Sequence, residues 1–167
     1  MAARKEFKIA VTKDNLVFAS AHFITFPGHR CETLHGHNYR TRVIVEGGLD
    51  PEAHYVFDFS ALKQLMKRLT DAIDHKVLLP LENPKIEVRE AGETVSVAVL
   101  GKPKYVFPRT DCALLPIPNT TVEMLARYLA EQVGRELAAA HAVELRAIEV
   151  EVEENFGQSA TYREVLR

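Results

Sequence analysis

Gly28-His29-Arg30-Cys31-Glu32-Thr33-Leu34-His35-Gly36-His37-Asn38-Tyr39-Arg40 is the stretch on which the reading of this chain turns. It gathers three histidines and a cysteine into one short run. If the segment is extended, residues two apart point to the same face, so His35 and His37 address one point. The glycine between them adds no side chain to the opposite face and lets another backbone come close. Two converging imidazoles with a thiol nearby suit a borderline-soft ion such as zinc. His22, at the end of the apolar run Leu16-Val17-Phe18-Ala19-Ser20-Ala21-His22, is a candidate third ligand from a neighbouring strand. Three histidines around zinc leave the open position of a catalytic site, whereas Cys31 as fourth ligand would close it into a structural one. Spacing alone leaves both open, beside the plain alternative of unrelated surface or core histidines.

Outward from that stretch, the chain alternates between strand and helix patterns. Residues 7–12 and 39–46 alternate apolar and polar, the period of a half-buried strand. Asp14-Asn15 signals a turn before the run that ends at His22. Asp58-Phe59-Ser60 offers helix N-caps, and Leu62, Leu65, Met66, Leu69 and Ile73 follow at helical spacing. That helix is expected to end near Asp74-His75, where an Asp and a His are commonly caps. A second helix is expected from Thr120-Thr121-Val122-Glu123, with Thr120 and Glu123 as a capping box and Val122, Leu125, Leu129, Val133 and Leu137 as its buried stripe. Between the helices, residues 85–90 and 94–100 read as a hairpin around Ala91-Gly92-Glu93, with a further strand at 104–107.

Residues 147–154 form the most informative strand. Ile148, Val150 and Val152 face one way and Glu149, Glu151 and Glu153 the other, so strict alternation puts Glu154 on the apolar face. A carboxylate there is costly unless it is paired or accepts from a ligand; a solvated strand end is the bland alternative. Residues 159–166 read as a last strand. Strands flanking two helices imply an α+β fold, an antiparallel four-stranded sheet with both helices on one face plus an inserted hairpin.

The 167 residues suit a single domain, 1–167, carrying an insertion at about 80–118. With 47% hydrophobic and 26% charged residues, the composition is that of a globular protein. A net charge of −2 argues against a general nucleic-acid or membrane-surface binder. Cys31 and Cys112 make no disulfide framework, and neither a signal peptide nor a long apolar span is evident. The expected setting is reducing and cytoplasmic.

The motif Cys-x-x-x-His-Gly-His-Asn-Tyr, preceded by Ser-Ala-His-Phe, resembles the 6-pyruvoyl-tetrahydropterin synthase family. It is most similar to the bacterial 6-carboxy-tetrahydropterin synthases of queuosine biosynthesis, in which the cysteine stands four residues before the first His, as Cys31 does here. The pyruvoyl branch has a longer gap. The resemblance implies the tunnelling fold and a homo-oligomer, a hexamer built as a dimer of trimers. It implies zinc on His22, His35 and His37, with Cys31, Asp74 and His75 as catalytic partners. Glu154, in Val150-Glu151-Val152-Glu153-Glu154-Asn155, matches the glutamate that anchors the pterin in Val-x-Val-x-Glu-Thr, although Asn155 stands where the family has Thr. Thr120 and Thr121 match threonines near the pterin. The implied reaction converts 7,8-dihydroneopterin triphosphate to 6-carboxy-5,6,7,8-tetrahydropterin, releasing acetaldehyde and triphosphate. The alternatives are triphosphate elimination alone, giving the pyruvoyl product, and a non-catalytic zinc-stabilised binding module. Arg109 and Asp111, in the interval where the chain is longer than its relatives, read either as pocket residues or as a pair that fixes a loop.

Overall fold

The computed structural model describes residues 6–12, 14, 16–28, 30–139 and 144–166. Asn15 and His29, singled out above, lie outside them. β3 (His35–Gly47) is the central strand and is long enough to take two partners along one edge. β2 (Val17–His22) pairs antiparallel with its first half and β1 (Phe7–Val11) with its second, while β9 (Leu145–Asn155) covers the other edge. β10 (Gln158–Val165) continues outward from β9.

The expected four-stranded antiparallel sheet is corrected here. The sheet has seven strands in the order β10-β9-β3-β2-β4-β8, with β1 on β3. It is mixed, because β4 (Lys76–Pro80) runs parallel to β2, and β8 (Cys112–Leu115) runs parallel to β4. The physical reason is burial on both sides. Leu78 faces the main core and Leu79 a second one, so the run carries no alternation to read. The α+β class stands, with two α-helices among the described residues.

α1 (Phe59–Asp71) starts at Asp58, whose carboxylate accepts the Ala61 N–H at 2.7 Å. Its buried stripe of Leu62, Leu65 and Met66 meets α2 (Val122–Ala139), which buries Leu125, Leu129, Val133 and Leu137. Both pack with Phe18, Tyr39, Val43, Val150 and Val152 on one face of the sheet. α2 begins two residues later than expected, and the capping box does not form. Thr121, not Thr120, accepts the Met124 N–H, while the Thr120 hydroxyl is turned inward onto the Phe23 carbonyl. Among the described residues no helix is long and apolar enough to cross a membrane.

The expected hairpin is a three-stranded antiparallel sheet, β5 (Ile86–Ala91), β6 (Thr94–Val99) and β7 (Lys102–Pro108). Ile86, Val95, Val97 and Val99 close a second core against Phe23, Leu79 and Cys112. Arg109 ion-pairs Glu90 and donates to the Cys112 carbonyl at 3.3 Å, so it fixes the end of the small sheet.

The sheet face away from the helices is a lattice of charge. Arg163 donates to both Glu46 oxygens at 2.6 and 2.8 Å, and Lys8 lies 3.0 Å from the same carboxylate. These cations, Arg163 first, hold the Glu46 carboxyl at about 2 against an ordinary 4.5. A depressed carboxyl contributes its stability in full above the unfolded value and loses it as pH falls through the folded one. Glu46→Gln is therefore expected to flatten the loss of stability between pH 4.5 and about 2. Denaturant melts across that window, parallel for the two proteins, would exclude this role.

Candidate functional site

The histidines meet at the end of the main core, where β2 and β3 pair in register. His22 stands opposite His35, and Ser20 opposite His37, so all three rings share the helix-bearing face. The same pairing favours glycine at position 36, since a Cβ there would sit 3.2 Å from the Ser20 carbonyl oxygen, closer than an ordinary contact. The ring centroids are 4.7 to 5.2 Å apart, and three ring nitrogens lie within 4.8 Å of one another. This arrangement can hold a metal ion.

Two of the rings are aimed by backbone carbonyls. His22 Nδ1 lies 2.7 Å from the Thr120 carbonyl oxygen and His35 Nδ1 lies 2.9 Å from that of Thr33. Each carbonyl takes the Nδ1 proton and leaves the Nε2 lone pair facing inward. His22 is 2% exposed, and its Nε2 has no hydrogen-bond partner among the described residues. A buried polar atom without a partner is costly, and a metal ion is a partner the donor set fits. Burial pushes the His22 imidazole below its ordinary range, against the opposing pull of the Thr120 carbonyl and Glu154. The neutral, ligating form is thereby favoured.

Glu154 is where alternation put it, on the inner face beside the rings. Its Oε1 is 3.3 Å from His22 Nε2, 3.5 Å from His37 Nε2 and 3.5 Å from the Tyr39 hydroxyl, which donates to it. Tyr39 is fully buried, and burial together with Glu154 holds its phenol well above the ordinary range, so it remains a donor. Glu153 points to the other face and accepts the Gly157 N–H at 3.1 Å.

Cys31 lies on the loop before β3, held by a bridge to Thr25 and by the Glu32 N–H donating to the Ile24 carbonyl. Lys104 of β7 reaches this loop. Its ammonium is 3.4 Å from the Cys31 sulfur and donates to the Glu32 carbonyl at 2.6 Å. Tyr105 adds a hydroxyl that accepts the Leu34 N–H at 3.1 Å. The Glu32 carboxylate lies 4.0 Å from His35 Nε2. Sequence reasoning missed Glu32, Tyr39 and Lys104. The first two stand inside the motif itself; Lys104 comes from another sheet, and no local signal pairs it with Cys31.

Asp74 and His75 are not brought to this centre within one chain. Asp74 accepts the Ala19 N–H at 2.8 Å and pairs with His75 Nδ1 at 2.9 Å. His75 has left-handed backbone, φ 55°, a conformation non-glycine residues seldom adopt, and its side chain is 82% exposed. It opens onto a cavity whose lining includes Ala19, Ala21, Gly36 and Asn38, which alternate with the histidines along β2 and β3, and which also reaches His37 itself. Thr120 contributes its carbonyl to His22, and Thr121 caps α2.

The family model for 6-pyruvoyl tetrahydropterin synthase matches residues 10–165. The chain belongs to that family. A relative from Methanocaldococcus jannaschii, bearing the provisional name 6-carboxy-5,6,7,8-tetrahydropterin synthase, is 35% identical over 151 residues, which is 90% of this chain and 91% of that protein. The 6-carboxy-5,6,7,8-tetrahydropterin synthase of Aquifex aeolicus is 28% identical over 92% of this chain and 90% of its own. Among solved structures, a Plasmodium vivax 6-pyruvoyltetrahydropterin synthase superimposes with a TM-score of 0.88 at 28% identity, covering 98% of this chain and all of that one. That structure is of a form described as a mutant of a catalytic residue, a glutamate replaced by alanine.

Proposed function

We propose that this chain is a zinc-dependent lyase that converts 7,8-dihydroneopterin triphosphate to 6-carboxy-5,6,7,8-tetrahydropterin, releasing acetaldehyde and triphosphate. The observation that carries the reading is the three-histidine centre with Cys31 four residues ahead of His35 and Glu154 on its rim. Relatives bearing the carboxy name support the choice of product. A zinc ion held by His22, His35 and His37 supplies, when bound, a Lewis acid for oxygens of the substrate side chain. Cys31 takes a proton from that side chain, with the Lys104 ammonium 3.4 Å from its sulfur. Glu154 accepts the adjacent ring N–H and amino donors of the pterin, with Tyr39 steadying the carboxylate. Thr120 and Thr121 line the ring's end of the site through the start of α2.

Asp74 and His75 shuttle protons for a neighbouring copy of the chain, since the His75 ring is largely exposed and open to one. That role needs the homo-oligomer, which in this reading is the hexamer of the family, working in the cytoplasm. A second reading keeps the enzyme and changes the product. Glu32 stands beside His35, and the Plasmodium vivax protein uses a glutamate described as catalytic. With Glu32 as the base, triphosphate elimination alone would give the pyruvoyl compound. Incubation with 7,8-dihydroneopterin triphosphate, followed by mass analysis of products, separates the two. Triphosphate release without acetaldehyde would reject the carboxy reading.

Glu154→Gln is expected to weaken pterin binding by on the order of 2 kcal/mol or more, the loss of a charge-assisted acceptor. Glu153→Gln, on the other face, should leave it within a factor of two or so. Equal effects in a fluorescence titration with 7,8-dihydroneopterin would reject the assignment of Glu154.

A further inference from the structure

Glu154 stands closer to the histidines than a residue reserved for the pterin ring needs to be. Its Oε1 is 3.3 Å from His22 Nε2 and 3.5 Å from His37 Nε2. The first contact is not a hydrogen bond, since His22 Nε2 makes none, and both exceed the usual N–H···O range of about 2.7–3.2 Å. They match another length. Donors bound to zinc at about 2.0–2.1 Å in a tetrahedron stand about 3.3–3.4 Å from one another. The carboxylate oxygen therefore lies at co-ligand distance from two of the three ring nitrogens, on the His22–His37 edge.

The carboxylate is also held there. The Tyr39 hydroxyl, fixed in a fully buried ring that meets His22 and His37 edge-on, donates to the same Oε1. Imidazole and carboxylate are both ordinary zinc donors, and ligating carboxylates characteristically carry such an outer hydrogen bond. Cys31, the expected candidate for a closing ligand, is turned elsewhere, toward Lys104 and the Glu32 carbonyl.

We propose that Glu154 is the fourth donor to the metal in the substrate-free protein, and that an arriving pterin draws the carboxylate away and so opens the metal to substrate oxygen. This deepens the reading above and rests on its metal on the three histidines. One residue then couples ring recognition to exposure of the metal. A molecule lacking the pterin donors meets a closed centre.

Two measurements on the full chain test the proposal. In competition with a chromophoric chelator, Glu154→Gln and Glu154→Asp should each weaken Zn²⁺ binding at least tenfold, while the histidine variants lose it altogether. The aspartate variant keeps the charge and withdraws the oxygen by one methylene. Undiminished affinity in Glu154→Asp with a loss in Glu154→Gln would mean that the carboxylate lends only its charge, which overturns the proposal. With Co²⁺ as the metal, the visible spectrum of Glu154→Gln should differ from that of the wild type. Saturating 7,8-dihydroneopterin should move the wild-type spectrum toward that of the variant. Superimposable spectra for the two proteins would overturn ligation; a wild-type spectrum indifferent to the pterin would overturn the exchange. Retention of metal by His35→Ala, His37→Ala would instead reject the three-histidine centre itself. Matching thermal melts establish that each variant is folded.

Discussion

Cys31→Ala is expected to abolish acetaldehyde release from 7,8-dihydroneopterin triphosphate, by roughly a thousandfold, while zinc stays bound. A positioned base contributes about 10²–10⁴-fold, and in this reading the thiol on the loop before β3 is that base and not a metal ligand. Its sulfur lies against Lys104 and the Glu32 carbonyl, not among the three ring nitrogens. The same variant tests the non-catalytic alternative, in which Cys31 is a structural ligand. In that case the metal leaves with the thiol, and thiol-blocking reagents eject it from the wild type. Persistence of acetaldehyde in the variant would reject Cys31 as the base, whereas triphosphate release without acetaldehyde would point to Glu32 and the pyruvoyl product. Quantitation of acetaldehyde and metal on one preparation gives both answers.

The second large effect concerns the histidines. His35→Ala, His37→Ala is expected to reduce bound zinc from about one per chain to less than about a tenth, because two of three nitrogen donors disappear and catalytic zinc needs three. The loss should come without collapse of the fold. His35 is on the exposed end of β3, and the main core lies further along the strand, at Tyr39, Val43 and Val45. Metal analysis after gel filtration, with circular dichroism on the same sample, measures the two separately. Full occupancy in the double variant would remove the metal from these residues. Metal loss accompanied by unfolding would remove the distinction between ligand and scaffold.

Much of this arrangement was legible because it obeys two periods. Alternation along β9 put Glu154 on the apolar face and Glu153 on the other, and the fold agrees. Helical spacing located both helices and their buried stripes, and His-x-His on an extended strand did converge. The illegible parts have physical reasons. β4 and β8 are short and buried in a parallel arrangement, so neither carries a period. Thr120 has the sequence of a cap, yet its hydroxyl is turned inward to donate to the Phe23 carbonyl, and the capping acceptor is the Thr121 hydroxyl. The contact between Lys104 and Cys31 joins residues 73 apart, and local pattern says nothing about it. The separation of Asp74 and His75 from the histidines depends on which face a turn exposes, which residue type does not encode.

Thr120 grips His22, the last residue of β2, and Phe23 just after it: its carbonyl accepts from His22 Nδ1, and its hydroxyl donates to the Phe23 carbonyl. Those residues point into different interiors, His22 to the three-ring centre and Phe23 to the core of the small sheet. The clasp spans 98 residues of chain. Closing so long a loop carries an entropic cost that local helix and hairpin formation does not. The donor set is thus expected to assemble late in refolding, after the helices have formed. Stopped-flow refolding with a zinc-sensitive dye should give a metal-uptake phase slower than the far-ultraviolet signal, and simultaneous phases would show that the clasp closes early. Capture of the ion then acts as a latch on a chain that is otherwise already folded.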